Sequence, residues 1–272
     1  MNYVICPVCN QPLFQKNTLF KCENNHCFDK SKYGYVNLLM SQKSSKKRHG
    51  DDSVMVVARR DFLDRGYYQP LLDTVCSILK KHAAKNGVML DTGCGEGYYT
   101  DGVKQALFCR EVVGIDISKN ALRYAAKRCS NAIFAVASIF HLPIADDSCD
   151  ILLNLFAPHD ESEFRRVLKE NGVMIRVFPG VHHLYSLKEK IYDKVYENPV
   201  ADLNENGFSL IESVHLKYNI TIDNNCDIKN LFCMTPYYYK TSQKDQQKLC
   251  SLQTLTTEVD FIVAAYKKKQ FH

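Results

Sequence analysis

A chain of 272 residues with 46% hydrophobic side chains has enough apolar surface for one large domain, or for one standard domain and a small module. No run approaches the ~18 apolar residues of a membrane span, and the start of the chain lacks the basic and long apolar regions of a signal peptide, so a cytoplasmic protein with no membrane partner is expected. The net charge of +5 is unevenly placed: residues 1–50 carry eight Lys/Arg against two Asp/Glu and the remainder 27 against 28, which suggests a polyanionic partner for the N-terminal fifth.

Of the 12 cysteines, four fall within residues 6–27. Cys6-Pro7-Val8-Cys9 and Cys22-Glu23-Asn24-Asn25-His26-Cys27 are two close pairs of metal-ligand residues separated by twelve residues. Such spacing reads as a tetrahedral zinc site, with Cys6, Cys9, Cys22 and His26 favoured and Cys27 as the alternative fourth ligand. Four protein ligands leave no open position, so the metal is expected to be structural. A disulfide pair is disfavoured in a reducing compartment. A segment of about 40 residues buries too little apolar surface to fold alone, and metal binding supplies the missing free energy. The other eight cysteines are scattered singly and read as small hydrophobes.

Residues 28–39 interleave aromatic residues with lysines, a mixture that suits base stacking beside phosphates or a small wet core. The polar, basic run that follows has linker composition. The expected organisation is a zinc-binding module over 1–40, a basic linker over 41–55 and a catalytic domain over 56–272.

A helical pattern begins near residue 53 and is interrupted at Gly66; Pro70 can open the next helix at its first turn. Strand candidates then follow at 88–92, 111–116, 132–137, 149–156 and 172–178, with helical stretches such as Ala121–Arg128 and Glu161–Lys169 between them. This alternation predicts an α/β fold with a doubly wound, mostly parallel sheet. Phe208–Ile222 and Val259–Tyr266 are expected to complete it.

The strand over 88–92 ends in Asp91, followed by glycines at 93, 95 and 97; the next strand ends in Asp116, 25 residues after Asp91. Glycines permit close approach of backbone to a ligand, and an acid at the end of a second strand can accept a ribose hydroxyl pair. The pattern is neither the dinucleotide G-x-G-x-x-G nor a phosphate-binding loop ending in Lys-Ser/Thr. It looks like the S-adenosylmethionine site of a class I methyltransferase, whose last strand is antiparallel. Ligands of open α/β sheets bind at the carboxyl ends of the strands. The candidate cofactor contacts there are Asp91, Gly93, Gly95, Glu96, Gly97, Asp116 and Ser138. Asp91 is expected to act indirectly, holding the loop or reaching the cofactor amine through water.

The chain also resembles, over nearly its whole length, the RlmA (RrmA) family of 23S rRNA guanine-N1 methyltransferases. The resemblance rests on the Cys6/Cys9/Cys22/His26 pattern, Tyr33-Gly34-Tyr35-Val36-Asn37-Leu38-Leu39, Ala58-Arg59-Arg60-x-Phe62-Leu63-Asp64 and Tyr68-Gln69-Pro70-Leu71. It continues through Gly93-Cys94-Gly95-Glu96-Gly97-Tyr98-Tyr99-Thr100, Ala157-Pro158, Pro179-Gly180-x-x-His183-Leu184 and Met234-Thr235-Pro236. It implies a class I methyltransferase with a seven-stranded sheet and a zinc ribbon that takes part in RNA recognition. Zinc ligands at Cys6, Cys9, Cys22 and His26 and cofactor contacts at Tyr68, Tyr99, Thr100 and His183 follow from it. So do a hairpin loop of 23S rRNA as substrate, a homodimer and, for some members, macrolide resistance.

Guanine N1 must lose a proton for methylation, so a general base would help. His159 and Asp160, after the Ala157-Pro158 turn, are the candidates; a helix N-cap role for Asp160 is the plainer alternative. Two other functions compete. A small-molecule methyltransferase explains the glycine loop but not the basic ribbon. A non-enzymatic RNA-binding protein conflicts with the intact Asp91, Gly93, Gly95 and Asp116.

Overall fold

The computed structural model describes residues 3–40 and 50–269. Residues 41–49 of the expected basic linker lie outside the described residues. The N-terminal part holds short strands β1 (Phe14–Lys16), β2 (Leu19–Lys21), β3 (Cys27–Asp29) and β4 (Tyr35–Asn37). Helices α1 (Ser53–Asp64) and α2 (Gln69–His82) follow, then β5 (Val88–Thr92), α3 (Tyr98–Leu107), β6 (Glu111–Asp116), α4 (Lys119–Arg128), β7 (Ile133–Val136) and β8 (Cys149–Leu155). The chain continues through α5 (Glu161–Val167), β9 (Leu168–Pro179), α6 (Tyr185–Ile191) and β10 (Phe208–Ile222). It then forms α7 (Asn225–Cys233), α8 (Tyr237–Lys240), α9 (Gln243–Gln247) and β11 (Leu255–Lys268).

The main sheet runs in the order β10-β11-β9-β8-β5-β6-β7-β4. Strands from β4 to β9 pair in parallel, while β11 is antiparallel to both β9 and β10. This is the class I methyltransferase arrangement with one strand added at its edge. The central strands are buried on both faces, which is why their sequences read as continuous apolar runs. Side-chain alternation divides each between two cores. Met89, Ile151 and Ile175 pack on the side of α1 and α2, whereas Leu90, Leu152 and Met174 pack on the side of α5 and the N-terminal segment.

The sheet has eight strands where seven are expected. The eighth is β4, which lies parallel to β7 with Val36 opposite Ala135. It arises because Val36 and Leu38 are apolar enough to be almost wholly buried beside Ala135 and Ile144. The beginning of the chain is tied down too: Val4 bridges Ile144, and Ile5 N donates to Pro143 O at 2.9 Å. The metal-binding segment is therefore docked on the sheet at both of its ends. Of the interleaved aromatic and basic residues, Tyr33 stays exposed beneath the Arg123 guanidinium at 4.1 Å, while Tyr35 packs against the helix α4 side of the sheet.

Helix starts follow local chemistry. Asp52 caps α1 by accepting the Met55 N–H at 2.9 Å, and Pro70 sits in the first turn of α2. Between them Gly66 takes φ +80°, a conformation open to glycine, and lets the chain reverse. Val36→Asp, which would bury an unpaired carboxylate at the β4–β7 seam, is expected to lower unfolding stability by about 3 kcal/mol. Urea denaturation checks this; a loss below a few tenths would show that the edge strand adds nothing.

Candidate active site and metal centre

The carboxyl ends of β5 and β6 build a loop with little freedom. Gly93, Gly95 and Gly97 have φ values of +79°, +56° and +82°. A Cβ at Gly93 would lie 2.3 Å from the Ala157 methyl, so the loop rests directly on the turn after β8. At Gly97 it would lie 3.0 Å from Ala125 Cα on α4. Gly93 N and Cys94 N both donate to Ile115 O, at 2.7 and 3.0 Å. Asp116 completes the clamp: Oδ2 accepts the Gly95 N–H at 2.9 Å and Oδ1 accepts the Ser118 N–H at 2.7 Å. Burial raises the Asp116 pKa, and these two N–H groups oppose that shift.

Asp91 and Thr100 lie behind the loop. Thr100 Oγ1 donates to Asp91 Oδ2 at 2.5 Å, and both residues are buried. Burial, reinforced by the negative charges of Asp116 and Glu96, pushes the Asp91 pKa up to about 7. Asp91, Gly97 and Thr100 shape the loop and are not among the described residues lining the cleft.

In front of the loop is a cleft of about 1070 Å³. Tyr68, Gly93, Gly95, Glu96, Tyr99, Asp116, Ser138 and His183, all expected as cofactor contacts, line it together. The Tyr68 and Tyr99 hydroxyls and Glu96 Oε2 are buried there and form no hydrogen bond among the described residues. Two buried phenol donors and a buried carboxylate acceptor at the cleft fit an amino-acid headgroup, which brings a carboxylate and an ammonium.

His183 is held in one state. Burial lowers its pKa to about 3, and Nδ1 accepts the Asp260 N–H at 3.3 Å. The neutral ring must then carry its proton on Nε2, so it can donate but cannot take up the proton of a substrate. The Phe261 ring packs on it at a centroid distance of 4.3 Å.

Neither candidate base is among the described residues lining the cleft. Asp160 is the N-cap of α5, its Oδ1 accepting from Glu163 N at 3.0 Å and from Ser162 Oγ at 2.7 Å. His159 contacts Arg176 at 3.1 Å through Nδ1 and lies 3.9 Å from Glu205.

Several cleft residues were missed from sequence. Arg59 on α1 reaches the glycine loop and pairs with Asp51 at 2.6 Å. It lies within electrostatic reach of Glu96 and Asp116, three acids whose repulsion it moderates. The Ala58-Arg59-Arg60 motif was its only sequence signal. Leu38, Leu39 and Met40 line the same cleft, bringing the end of the metal-binding segment to the cofactor loop.

The metal centre sits at the other end of that segment. Ligand atoms of Cys6, Cys9, Cys22 and His26 all lie within 4.8 Å of one another. Cys9 Sγ is 3.7 Å from Cys22 Sγ, and His26 Nδ1 is 3.5 and 3.4 Å from the Sγ atoms of Cys6 and Cys22. Tetrahedral zinc with ordinary bond lengths requires S···S of about 3.8 Å and S···N of about 3.5 Å. The donor set fits zinc. Cys27 stands outside the cluster, exposed and donating to Asn25 O at 3.3 Å.

Comparisons with known proteins agree with this architecture. A family model described as "RlmA, N-terminal", a zinc ribbon, matches residues 4–47, and one described as "Methyltransferase domain" matches 90–176. A 23S rRNA (guanine(748)-N(1))-methyltransferase of Streptomyces fradiae is 34% identical over 194 residues, covering 70% of this chain and 68% of that one. A Bacillus subtilis protein provisionally named a 23S rRNA (guanine-N(1)-)-methyltransferase is 29% identical over 95% of both chains. Among solved structures, a provisionally named type II methyltransferase from Anaeromyxobacter dehalogenans superposes with a TM-score of 0.50 at 18% identity, covering 72% of this chain and 95% of that one, which shows the fold. The fold and the cleft are those of an S-adenosylmethionine-dependent methyltransferase carrying a zinc ribbon. The chain belongs to the RlmA family of 23S rRNA guanine-N1 methyltransferases.

Cys22→Ser is expected to abolish stoichiometric zinc, read by atomic absorption, whereas Cys27→Ser keeps one zinc per chain. Loss of zinc from Cys27→Ser together with its retention in His26→Ala would move the fourth ligand from His26 to Cys27. Asp91 gives a pH signature. Its folded pKa is about 7 against an ordinary 3.8, so the neutral carboxyl stabilises the fold at low pH and that contribution is lost as pH rises towards 7. Asp91→Asn keeps an oxygen for Thr100 and removes the titration. Its stability advantage over wild type is expected to grow from near zero at about pH 4 to an upper bound of roughly 4 kcal/mol above pH 7. A pH-independent difference in urea unfolding would sink this assignment.

Proposed function

We propose that the protein methylates N1 of a guanine in an exposed loop of 23S rRNA. The observation that carries this reading is the joining of a zinc ribbon, in the basic N-terminal fifth, to the wall of a cofactor cleft through Leu38–Met40. A small-molecule methyltransferase has no need of that connection. The guanine-N1 relatives named above support the same assignment. In this reading residues 1–40 form the RNA-recognition module and 56–272 the methyltransferase domain.

When bound, S-adenosylmethionine would supply a methyl group on a cationic sulfur: guanine N1 would form the new N–C bond as the S–C bond breaks to leave a neutral thioether, and the N1 proton would pass to solvent water. The chain's own residues bind and orient. The lone pairs that Asp116 does not spend on Gly95 and Ser118 accept the ribose hydroxyls. The Tyr68 and Tyr99 hydroxyls donate to the carboxylate, aided by the positive N-terminus of α3. Glu96 Oε2 accepts from the ammonium. His183 acts as a donor through Nε2, and Asp91 holds the loop from behind through Thr100. Placing the acceptor nitrogen in line with the methyl supplies much of the acceleration.

A hairpin loop fits better than a duplex because N1 lies on the Watson–Crick edge, which pairing covers. The test is methyl transfer from labelled S-adenosylmethionine to unmodified 23S rRNA, followed by primer extension. The expected result is incorporation with a single stop beside a loop guanine. Cofactor binding without transfer to RNA would move the protein to the small-molecule class.

A further inference from the structure

Eight residues other than glycine have positive φ among the described residues. Five are Asn or Asp, for which the left-handed region is cheap. Phe108 terminates α3, where that conformation is a common helix exit. Leu184 is wholly buried. Phe156, at φ +59°, alone combines a strained backbone with a half-exposed ring, 51% accessible, at the cleft.

Its surroundings enforce that conformation. Asn154 Nδ2 donates to Thr92 Oγ1 at 3.2 Å and to Pro158 O at 2.9 Å, fixing the chain on either side. Ala157 fills the space left by the missing side chain of Gly93. Behind the ring lie Phe261 at 5.2 Å and Tyr99 at 6.4 Å between centroids. Backbone strain maintained by its neighbours at a ligand cleft is a mark of function rather than of packing.

The ring's place in the sheet says which ligand it meets. Asp116, the last residue of β6, and Ile117 just after it line the cleft and mark its nucleoside side. Phe156 follows β8, on the opposite flank of β5. It therefore stands beyond the glycine loop, where the methyl acceptor must approach. A second exposed ring, Phe140 at 61% accessibility, lines the cleft from the turn after β7.

We propose that Phe156 is a stacking platform for the target base, holding the extruded guanine by its π face so that N1 is presented to the cleft. This rests on the reading of a guanine in RNA as substrate. Stacking on an aromatic ring depends on the ring and not on apolarity alone.

The full-length protein is assayed with unmodified 23S rRNA as wild type, Phe156→Tyr, Phe156→Leu and Phe156→Asn. The Asn variant suits the left-handed backbone and guards against misfolding as an explanation. Tyrosine is expected to keep kcat/KM within about threefold of wild type, while Leu and Asn lose about ten- to hundredfold. The Kd for S-adenosylmethionine, from calorimetry, stays within about twofold in all four. Full activity of the Leu variant overturns the proposal, as does a cofactor Kd that weakens in step with activity. A wild-type protein that transfers nothing to RNA overturns the substrate reading and this proposal with it.

Discussion

The cleft depends on one carboxylate. Asp116 accepts the Gly95 N–H and the Ser118 N–H, and so ties the left-handed glycine loop after β5 to the first turn of α4. Glycine is obligatory here because Ala157 and Ala125 stand where side chains would be. The backbone thereby comes close to whatever lies in the cleft, and Tyr99 and Glu96 are delivered to its wall by the same turn. Loss of the clamp would release the loop, the start of α3 and the packing of the β8 turn together.

Charge balance follows from that geometry. Asp51, Glu96 and Asp116 meet around the guanidinium of Arg59, with Asp91 just behind them. Burial raises the pKa of Asp91, Glu96 and Asp116 alike, since each charged form has lost water. A cationic sulfonium with an ammonium brings the charge that these acids lack.

The zinc ribbon is structurally continuous with this centre. Four ligands hold one end of the segment, while β4 adds to the sheet and Leu38–Met40 reach the cofactor cleft at the other. Such a small unit could not fold on its own apolar surface, and it draws on both the metal and the sheet edge.

Much was legible because it is local. Alternation of apolar strands with amphipathic helices announced the parallel sheet, and glycines flanked by two acids announced the ligand loop. The Cys-x-x-Cys and Cys-x3-His pairs gave the metal ligands, and their side-chain distances fit zinc. These signals survive in sequence because strand burial, tight turns and metal coordination are satisfied by neighbours along the chain. The eighth strand, the Arg59–Asp51 pair, the withdrawal of His159 from the cleft and the strained ring of Phe156 were not legible. The eighth strand and the conformation of Phe156 depend on contacts between segments far apart in sequence, Val36 with Ala135, Ala157 with Gly93 and Asn154 with Thr92, while the roles of Arg59 and His159 follow from which side chains the folded cleft brings near them. The sequence alone determined the class of fold and the chemistry of its ligands. The tertiary structure decided which side chains share the cleft and in what protonation state, because burial and long-range packing set both.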